Sequence, residues 1–186
     1  MAINWTEAQI EEVINAVIKS LNGGTPATKN SYDGSQYNGR RYIGVYTDMN
    51  EAIEAATAGY KAVRAMSLEE REKVISAIRD LCRKEASIMA ELGVAETKMG
   101  RVAHKTAKHM LVADKTPGTA DIISQAKTGD HGLTLTEMAP FGVVGSITPS
   151  TNPSETVICN SIGMIAAGNG VVFNPHPNAI ATSNYA

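Results

Sequence analysis

Two loops of small polar residues and proline carry the side chains best suited to chemistry. Each follows a short β-branched segment typical of a buried strand, and the first also precedes an apolar segment of helix length. Because free amides and the helix dipole at a helix N-terminus favour anionic groups, the first loop indicates a nucleotide or phosphate site. A loop that caps the helix and binds no ligand explains the same residues, and spacing alone gives both interpretations equal weight. The residues concerned are Thr148, Pro149, Ser150, Thr151 and Asn152 in the first loop and Asn174, Pro175, His176 and Pro177 in the second.

No other residues form a recognisable catalytic group. The glycine-rich fingerprints of nucleotide-binding proteins, GxGxxG and the P-loop, are absent from the sequence. Glu155 falls in the first turn of the predicted helix, where the helix dipole explains an acidic residue without catalysis. Cys82 and Cys159 both fall in apolar segments, so we expect buried structural thiols. They form no CxxC pair that would suggest a zinc site.

A basic segment at residues 96–112 is predicted to be helical, with a solvated outer face. It contains His104 and His109, whose separation of five residues does not align them as metal ligands on one helix face. We therefore expect no metal site here. Lys105 and Lys108 are expected to be exposed together with the two histidines.

Composition argues against several classes of protein. The 186 residues include 17 basic and 19 acidic side chains, giving a net charge of −2 at pH 7, and 43% are hydrophobic. These values are typical of a globular chain rather than a disordered one, and the near-neutral balance argues against a nucleic-acid partner. No apolar run approaches the roughly 18 residues needed to cross a membrane, so no membrane partner is expected. Reduced thiols and the lack of a basic N-terminal signal region favour a cytoplasmic protein.

The two loops are expected to lie at one edge of a parallel sheet. Residues 141–148 and 171–173 are predicted strands, and residues 153–167 between them are a predicted helix, which together make a βαβ unit. Neither strand alternates with polar residues, so both faces of the sheet are expected to be covered. Ligands bind at the carboxyl ends of such strands, where both loops fall.

Helices are predicted before this unit. After a strand at residues 41–47, capping-box patterns at Asp48 and Ser67 begin two helices that end near Met66 and Leu92. Residues 117–132 are predicted to be a connection and residues 133–138 a strand. The inward positions of the second helix are expected to be Leu68, Val74, Ile75, Ile78, Leu81, Cys82, Met89 and Leu92.

A further amphipathic helix is predicted at residues 6–21, before a segment that cannot build a core. Residues 23–39 contain no Leu, Ile, Val or Met and indicate a flexible linker. A tethered apolar stripe favours a partner protein, but folding back onto the rest of the chain is equally consistent with the pattern. The stripe consists of Ile10, Val13, Ile14, Val17, Ile18 and Leu21.

Several motifs resemble the aldehyde dehydrogenase superfamily. Residues 139–149, APFGVVGSITP, resemble its P-x-G-V-x-G-x-I-x-P strand, and STNP at 150–153 resembles the CoA-acylating branch, where hydrolytic members carry P-W-N-F-P. Residues 167–177, with AGN, VVF and PHP, and residues 96–101, ETKMGR, are also similar to that branch. The resemblance covers residue 48 to residue 186.

The resemblance implies an α/β fold in which N-terminal helices precede the start of a Rossmann-like parallel-sheet cofactor domain, incomplete in this chain. It implies oxidation of a short aldehyde to an acyl-CoA, or the reverse, with CoA as co-substrate and NAD, alternatively NADP, as cofactor. A cysteine thiolate attacks the aldehyde, and nearby donors stabilise the oxyanion. Thr151 and Asn152 are the candidates on the oxyanion side, and which of them serves is left open. The candidate cofactor-binding residues are Thr148, Pro149, Ser150, Asn174, His176 and Pro177.

Within that branch, the helix at residues 6–21 resembles encapsulation peptides of bacterial microcompartments. The implied partner is a shell or cargo protein, the implied location is the microcompartment lumen, and a homo-oligomer is expected for the full-length enzyme. The expected organisation is a targeting helix at 1–22, a linker at 23–40 and the N-terminal part of the cofactor-binding domain at 41–186.

The family's nucleophile lies downstream of the P-H-P motif, and neither Cys82 nor Cys159 matches it. We therefore expect the N-terminal portion of a CoA-acylating enzyme, inactive by itself. The alternative is a truncated, non-catalytic chain that acts as encapsulated cargo or an interaction module. A third interpretation, the dehydrogenase arm of a bifunctional alcohol-forming enzyme, is disfavoured by the tethered helix.

Overall fold

The computed structural model describes residues 36–37 and 40–186, so the predicted helix at 6–21 and most of the predicted linker lie outside the described residues. The first described strands, β1 (Gln36–Tyr37) and β2 (Arg40–Arg41), form a short antiparallel pair. The strand predicted at 41–47 is wrong beyond Arg41, because the chain turns at Gly44, whose φ is +86°. Such a left-handed conformation interrupts an extended strand.

Both predicted helix starts are confirmed. Helix α1 (Met49–Ala65) begins after Asp48, whose carboxylate accepts hydrogen bonds from the backbone amides of Asn50 and Glu51 at 2.8 and 3.1 Å. Helix α2 (Leu68–Thr97) begins with a reciprocal capping box between Ser67 and Glu70. Each device satisfies amide donors that the first helical turn leaves unpaired.

Helix α2 continues past its predicted end at Leu92. Gly93 lies inside the helix and does not end it; a Cβ there would be in ordinary van der Waals contact with Thr182, 3.5 Å away. The helix ends instead at Lys98, whose backbone is left-handed with a φ of 59°.

The buried stripe of α2 is narrower than predicted. Ile75, Cys82 and Met89 are buried as expected, whereas the predicted inward orientation is wrong for three positions that are exposed, namely Leu68, Val74 and Leu81. The buried positions follow a spacing of about two helical turns because α2 is covered along one line by the helices that follow. The core cluster consists of Ile75, Cys82, Met89, Ala113, Ile158, Ile162 and Ala166.

The segment predicted to be a connection contains a strand. After α3 (Val102–Lys115) and a short 3-10 turn, β3 (Gln125–Gly129) pairs antiparallel with β4 (Gly132–Thr136). Asp130 and His131 form the two-residue turn between paired glycines. The predicted strand at 133–138 is confirmed as far as Thr136.

The βαβ unit is confirmed. β5 (Val143–Thr148) and β6 (Gly170–Pro175) pair in parallel, from Val143 opposite Gly170 to Thr148 opposite Pro175, and α4 (Pro153–Ala166) connects them. A second 3-10 turn (Pro177–Ala179) and helix α5 (Ile180–Tyr185) follow.

The expectation that both sheet faces are covered is wrong for β5. Ser146 and Thr148 are buried, but Ile147 between them is 82% exposed. The buried hydroxyls have polar partners, because Asn160 donates to Ser146 Oγ at 2.9 Å and Ser183 lies 3.4 Å from Thr148 Oγ1. β5 therefore turns its polar side chains towards the helices and leaves an apolar side chain on the open face.

The turn between α4 and β6 fixes the start of the sheet. Asn169 Oδ1 accepts hydrogen bonds from the amides of Phe141 and Gly142 at 2.6 and 3.0 Å, which holds the residues before β5 beside β6. Gly168 has a φ of +79°, and a Cβ there would lie 2.9 Å from Arg71 Nη1. Arg71 donates to the carbonyls of Val63 and Ala166, so it has little freedom to move.

In the part of the chain that the structure describes, no helix combines the length and the apolar character needed to cross a bilayer.

Replacing Gly168 tests whether its left-handed backbone and close approach to Arg71 require glycine. We expect Gly168→Ala to lower the free energy of unfolding by at least about 1 kcal/mol, because alanine is strained in the left-handed conformation. Gly163→Ala is the matched control, since a Cβ at this exposed position of α4 would meet nothing within 4 Å; it should be neutral or stabilising by up to about 1 kcal/mol. Urea unfolding measures both, and equal effects of the two changes would contradict the argument.

Candidate functional site

The structure brings the two predicted loops together at the carboxyl ends of β5 and β6. The His176 amide donates to the Thr148 carbonyl at 3.1 Å, which extends the strand pairing into the loops. The His176 side chain caps the following 3-10 turn, its Nδ1 accepting from the Asn178 amide at 3.1 Å. The edge predicted from strand order is therefore present.

The predicted site residues differ in accessibility. Thr148 is completely buried beside Ser183, so its side chain packs inside the protein and is not accessible to a ligand. Ser150, Asn152 and His176 are half-buried. The remaining predicted residues are exposed, namely Pro149, Thr151, Asn174 and Pro177.

The first loop is held by lysines from another helix. Asn152 is the N-cap residue of α4, but its side chain makes no capping hydrogen bond; Oδ1 instead accepts from Lys108 Nζ at 2.7 Å. Lys105 Nζ donates to the Thr151 carbonyl at 2.5 Å and lies 3.3 Å from Glu155 Oε1. Two consecutive loop residues are thus held by α3.

The ion pair between Lys105 and Glu155 is buried. The two side chains are only 6% and 4% exposed. The helix dipole is therefore an incomplete explanation of Glu155, because a carboxylate buried among apolar residues needs a cationic partner. The expectation of a solvated Lys105 is wrong for the same reason, whereas Lys108 and His104 are exposed as predicted.

His109 is the other residue wrongly expected at the surface. It is completely buried, with Nδ1 2.8 Å from the Lys105 carbonyl and Nε2 2.7 Å from Ser154 Oγ. A carbonyl only accepts, so this network assigns the proton to Nδ1 and makes Nε2 the acceptor of the Ser154 hydroxyl. Burial lowers the pKa of His109; the charges of Lys105 and Lys108 act in the same direction, while Glu155 and the hydrogen bond to Lys105 oppose it.

The sequence contains a pattern from which the network of Lys105, His109 and Glu155 could have been predicted. Lys105 and His109 are four residues apart, the spacing that places side chains on one helix face. In addition, Glu155 is the only charged residue in α4. Pairing the buried acid of α4 with the basic face of α3 would have located the network.

The two cysteines differ in burial, and Cys82 lacks the surroundings of an activated nucleophile. Cys82 is buried, its Sγ donates to the His109 carbonyl at 3.5 Å, and burial raises the pKa of its thiol. A raised pKa reduces the thiolate fraction that attacks carbonyl groups. Cys159 is half-buried, and so less enclosed than expected. Among the described residues, no group of three His, Cys, Asp or Glu side chains could hold a metal ion.

The buried His109 should make stability depend on pH. Its folded-state pKa is lowered, so below the ordinary histidine pKa of about 6.5 the unfolded chain binds a proton that the folded chain does not. Stability should therefore be complete above this pH and fall on acidification. We expect urea midpoints of His109→Gln to change less between about pH 7.5 and 5.5 than those of the unmodified chain.

His104→Gln is the control for this prediction, because His104 is exposed on the same helix. It should retain the pH dependence of the unmodified chain. An identical pH dependence in His109→Gln would show that other groups are responsible.

Comparison with known proteins connects this geometry to a family. A model of the aldehyde dehydrogenase family matches residues 20–186. An acetaldehyde dehydrogenase (acetylating) from Bilophila wadsworthia is 47% identical over 144 residues, covering 77% of this chain and 29% of that protein. A propanal dehydrogenase (CoA-propanoylating) from Citrobacter freundii is 44% identical over 140 residues, covering 75% and 30%.

Solved structures of aldehyde dehydrogenases also resemble this chain. A propionaldehyde dehydrogenase from the fucose utilisation microcompartment of Clostridium phytofermentans has a TM-score of 0.75 and 61% identity, covering 77% of this chain and 33% of that one. A Rhodopseudomonas palustris propionaldehyde dehydrogenase with bound CoA and an acylated cysteine has a TM-score of 0.73 and 46% identity, covering 76% and 33%. The chain thus spans about a third of the length of these relatives. With a family match over most of its length and the motif strand placed as β5, the chain belongs to the aldehyde dehydrogenase family.

Proposed function

We propose that this chain supplies the cofactor-side loops of an enzyme that oxidises a short aldehyde to an acyl-CoA, or runs the reverse reaction. In the forward direction, aldehyde, CoA and NAD⁺ give acyl-CoA, NADH and a proton. The observation that carries the proposal is the placement of the loops after β5 and β6 at one sheet edge, joined by the hydrogen bond between His176 and Thr148. Relatives named acetylating and CoA-propanoylating dehydrogenases, 44–47% identical, support it.

The residues at this edge fit a nicotinamide nucleotide. The loop side chains are small or polar, and since the Asn152 side chain does not cap α4, it leaves the amides of the first turn to other acceptors. Exposed Asn174 provides an amide that can bond to sugar hydroxyls. When bound, NAD accepts the hydride that the aldehyde carbon loses. NADP is the alternative, and an engineered glycolyl-CoA reductase at 44% identity binds it.

Residues of the first loop would contact the aldehyde and stabilise the charge that forms on its oxygen. Thr151 and Asn152 are the candidates to donate a hydrogen bond to the oxyanion formed when a thiolate adds to the aldehyde. The thiolate itself must come from a residue other than Cys82, whose thiol is buried. Cys159, half-buried on α4, is not proposed either, because it does not match the sequence motif of the family's nucleophile.

We further propose that the enzyme works in a bacterial microcompartment. The amphipathic stripe at residues 6–21 and the linker after it supply a tethered segment for a shell or cargo protein. A structural relative at 61% identity comes from a fucose utilisation microcompartment. In this arrangement the apolar stripe binds the partner and the linker allows the dehydrogenase part to lie apart from it.

The activity is tested with the protein expressed from its complete gene. We expect absorbance of NADH to rise only when a short aldehyde, CoA and NAD⁺ are all present, with NADP⁺ assayed in parallel. Residues 1–186 expressed separately should show none, because neither of their cysteines matches the motif of the family's nucleophile. NADH formation without CoA would contradict the proposed acyl transfer, and activity of residues 1–186 that Cys159→Ala abolishes would contradict the assignment of the nucleophile. If the complete gene encodes no more than residues 1–186, inactivity would instead favour the non-catalytic cargo alternative.

The microcompartment location is tested separately. Residues 1–21 fused to a fluorescent reporter should collect in foci with shell proteins, because the apolar stripe needs a partner in water. Replacing Ile14 and Val17 by aspartate interrupts the stripe and should give diffuse fluorescence. Diffuse fluorescence of the unmodified fusion in shell-producing cells would rule out this targeting role.

A further inference from the structure

Asn152 occupies a capping position without capping the helix. An asparagine at the N-cap usually accepts a hydrogen bond from an amide of the first turn. Here the side chain makes no such bond, and Oδ1 accepts instead from Lys108 Nζ at 2.7 Å. The Asn152 backbone has φ −140° and ψ 60°, and its carboxamide lies against α3 rather than over its own helix.

The contact with Lys108 decides which end of the carboxamide remains for a ligand. An ammonium group only donates, so the oxygen faces Lys108 and the Nδ2 amino group is left with two hydrogens to donate. Among the described residues, no hydrogen bond from Nδ2 of Asn152 is found. A fixed donor of this kind is what an oxyanion requires.

Helix α3 holds the loop at two successive points. Lys105 and Lys108 are separated by three residues, which places them on neighbouring positions of one helix face. Lys105 is anchored by Glu155 and holds the Thr151 carbonyl, whereas Lys108 is exposed and makes its described hydrogen bond to Asn152. The buried lysine thus fixes the loop backbone, and the exposed lysine orients one side chain.

On the basis of the proposed function, we propose that Lys108 is a positioning residue for the aldehyde chemistry. It holds the Asn152 carboxamide by its oxygen so that Nδ2 donates to the substrate oxyanion. The positive charge beside Oδ1 also polarises the amide and strengthens Nδ2 as a donor. Asn152 rather than Thr151 is then the oxyanion residue.

Kinetics of the protein expressed from its complete gene test this role. Lys108→Met should lower kcat for aldehyde oxidation about 10- to 100-fold, with little change in the KM for the aldehyde, because positioning is lost while the substrate still binds. Lys108→Arg, which restores a cationic donor, should recover most of kcat. Asn152→Ala should also lower kcat, and adding Lys108→Met to it should cause little further loss, since both changes remove one interaction.

Lys115→Met is the matched control. Lys115 is exposed in the last turn of the same helix, so the substitution makes the same chemical change away from the loop. It should leave kcat and KM unchanged. A kcat of Lys108→Met equal to that of Lys115→Met would overturn the proposal.

A second measurement does not depend on activity. In ¹⁵N spectra of the 186-residue chain, the Asn152 side-chain amide signals, assigned by their loss in Asn152→Ala, should shift in Lys108→Met and stay in place in Lys115→Met. Unchanged signals in Lys108→Met would overturn the positioning role even if the enzyme is active. If the unmodified enzyme forms no aldehyde-dependent NADH, the proposed function and the catalytic role of Lys108 both fail, and the spectra still show whether Lys108 orients the carboxamide.

Discussion

The buried ion pair between Lys105 and Glu155 is the constraint on which the candidate site depends. Removing two charges from water costs several kcal/mol per ion, an amount on the order of the whole stability of a domain. The pair is tolerated because Lys105 also donates to the Thr151 carbonyl, so its ammonium has more than one acceptor. Breaking such a pair by removing one partner typically costs about 3–5 kcal/mol. Neither α3 nor the N-terminal half of α4 can therefore shift independently of the other.

The residues next to the ion pair extend this connection between α3 and α4. Ser154 donates to His109 from the first turn of α4, and His109 donates back to the Lys105 carbonyl, so a polar network closes between α3 and α4. Each buried donor and acceptor in this network has a partner, which is the condition under which buried polar groups are stabilising. The network thus fixes the start of α4 to α3, whereas Thr148 at the end of β5 lies beside Ser183 of α5.

Helix starts and the parallel strand pair could be predicted from residues close together in the sequence. The burial of individual side chains could not, because it depends on which distant segments pack together. Asp48 and Ser67 cap their helices as their spacing indicates, and the β-branched segments around α4 form the expected parallel pair. Lys105 and His109 have the composition of a solvated face, and only the arrival of α4, about 50 residues later in the chain, buries them. The exposed Leu68 shows the same limit, since periodicity indicates an apolar stripe but not how much of it is covered. For the candidate site, strand order predicted that the two loops meet at one sheet edge, as they do, while the lysines that hold the first loop come from an element with no motif of its own.

A loop that stabilises a transition state must be held in place before the substrate arrives, because reorganisation during the reaction would consume the stabilisation it provides. The loop after β5 meets this requirement through three independent restraints. Its first residue is joined to the second loop by the hydrogen bond to His176, its Thr151 carbonyl is held by Lys105, and its Asn152 side chain is held by Lys108. The prolines on either side of these residues restrict the backbone between the restraints. Since the restraints come from the second loop and α3 rather than from the first loop itself, the first loop can keep small, exposed residues that leave room for a ligand and still be rigid.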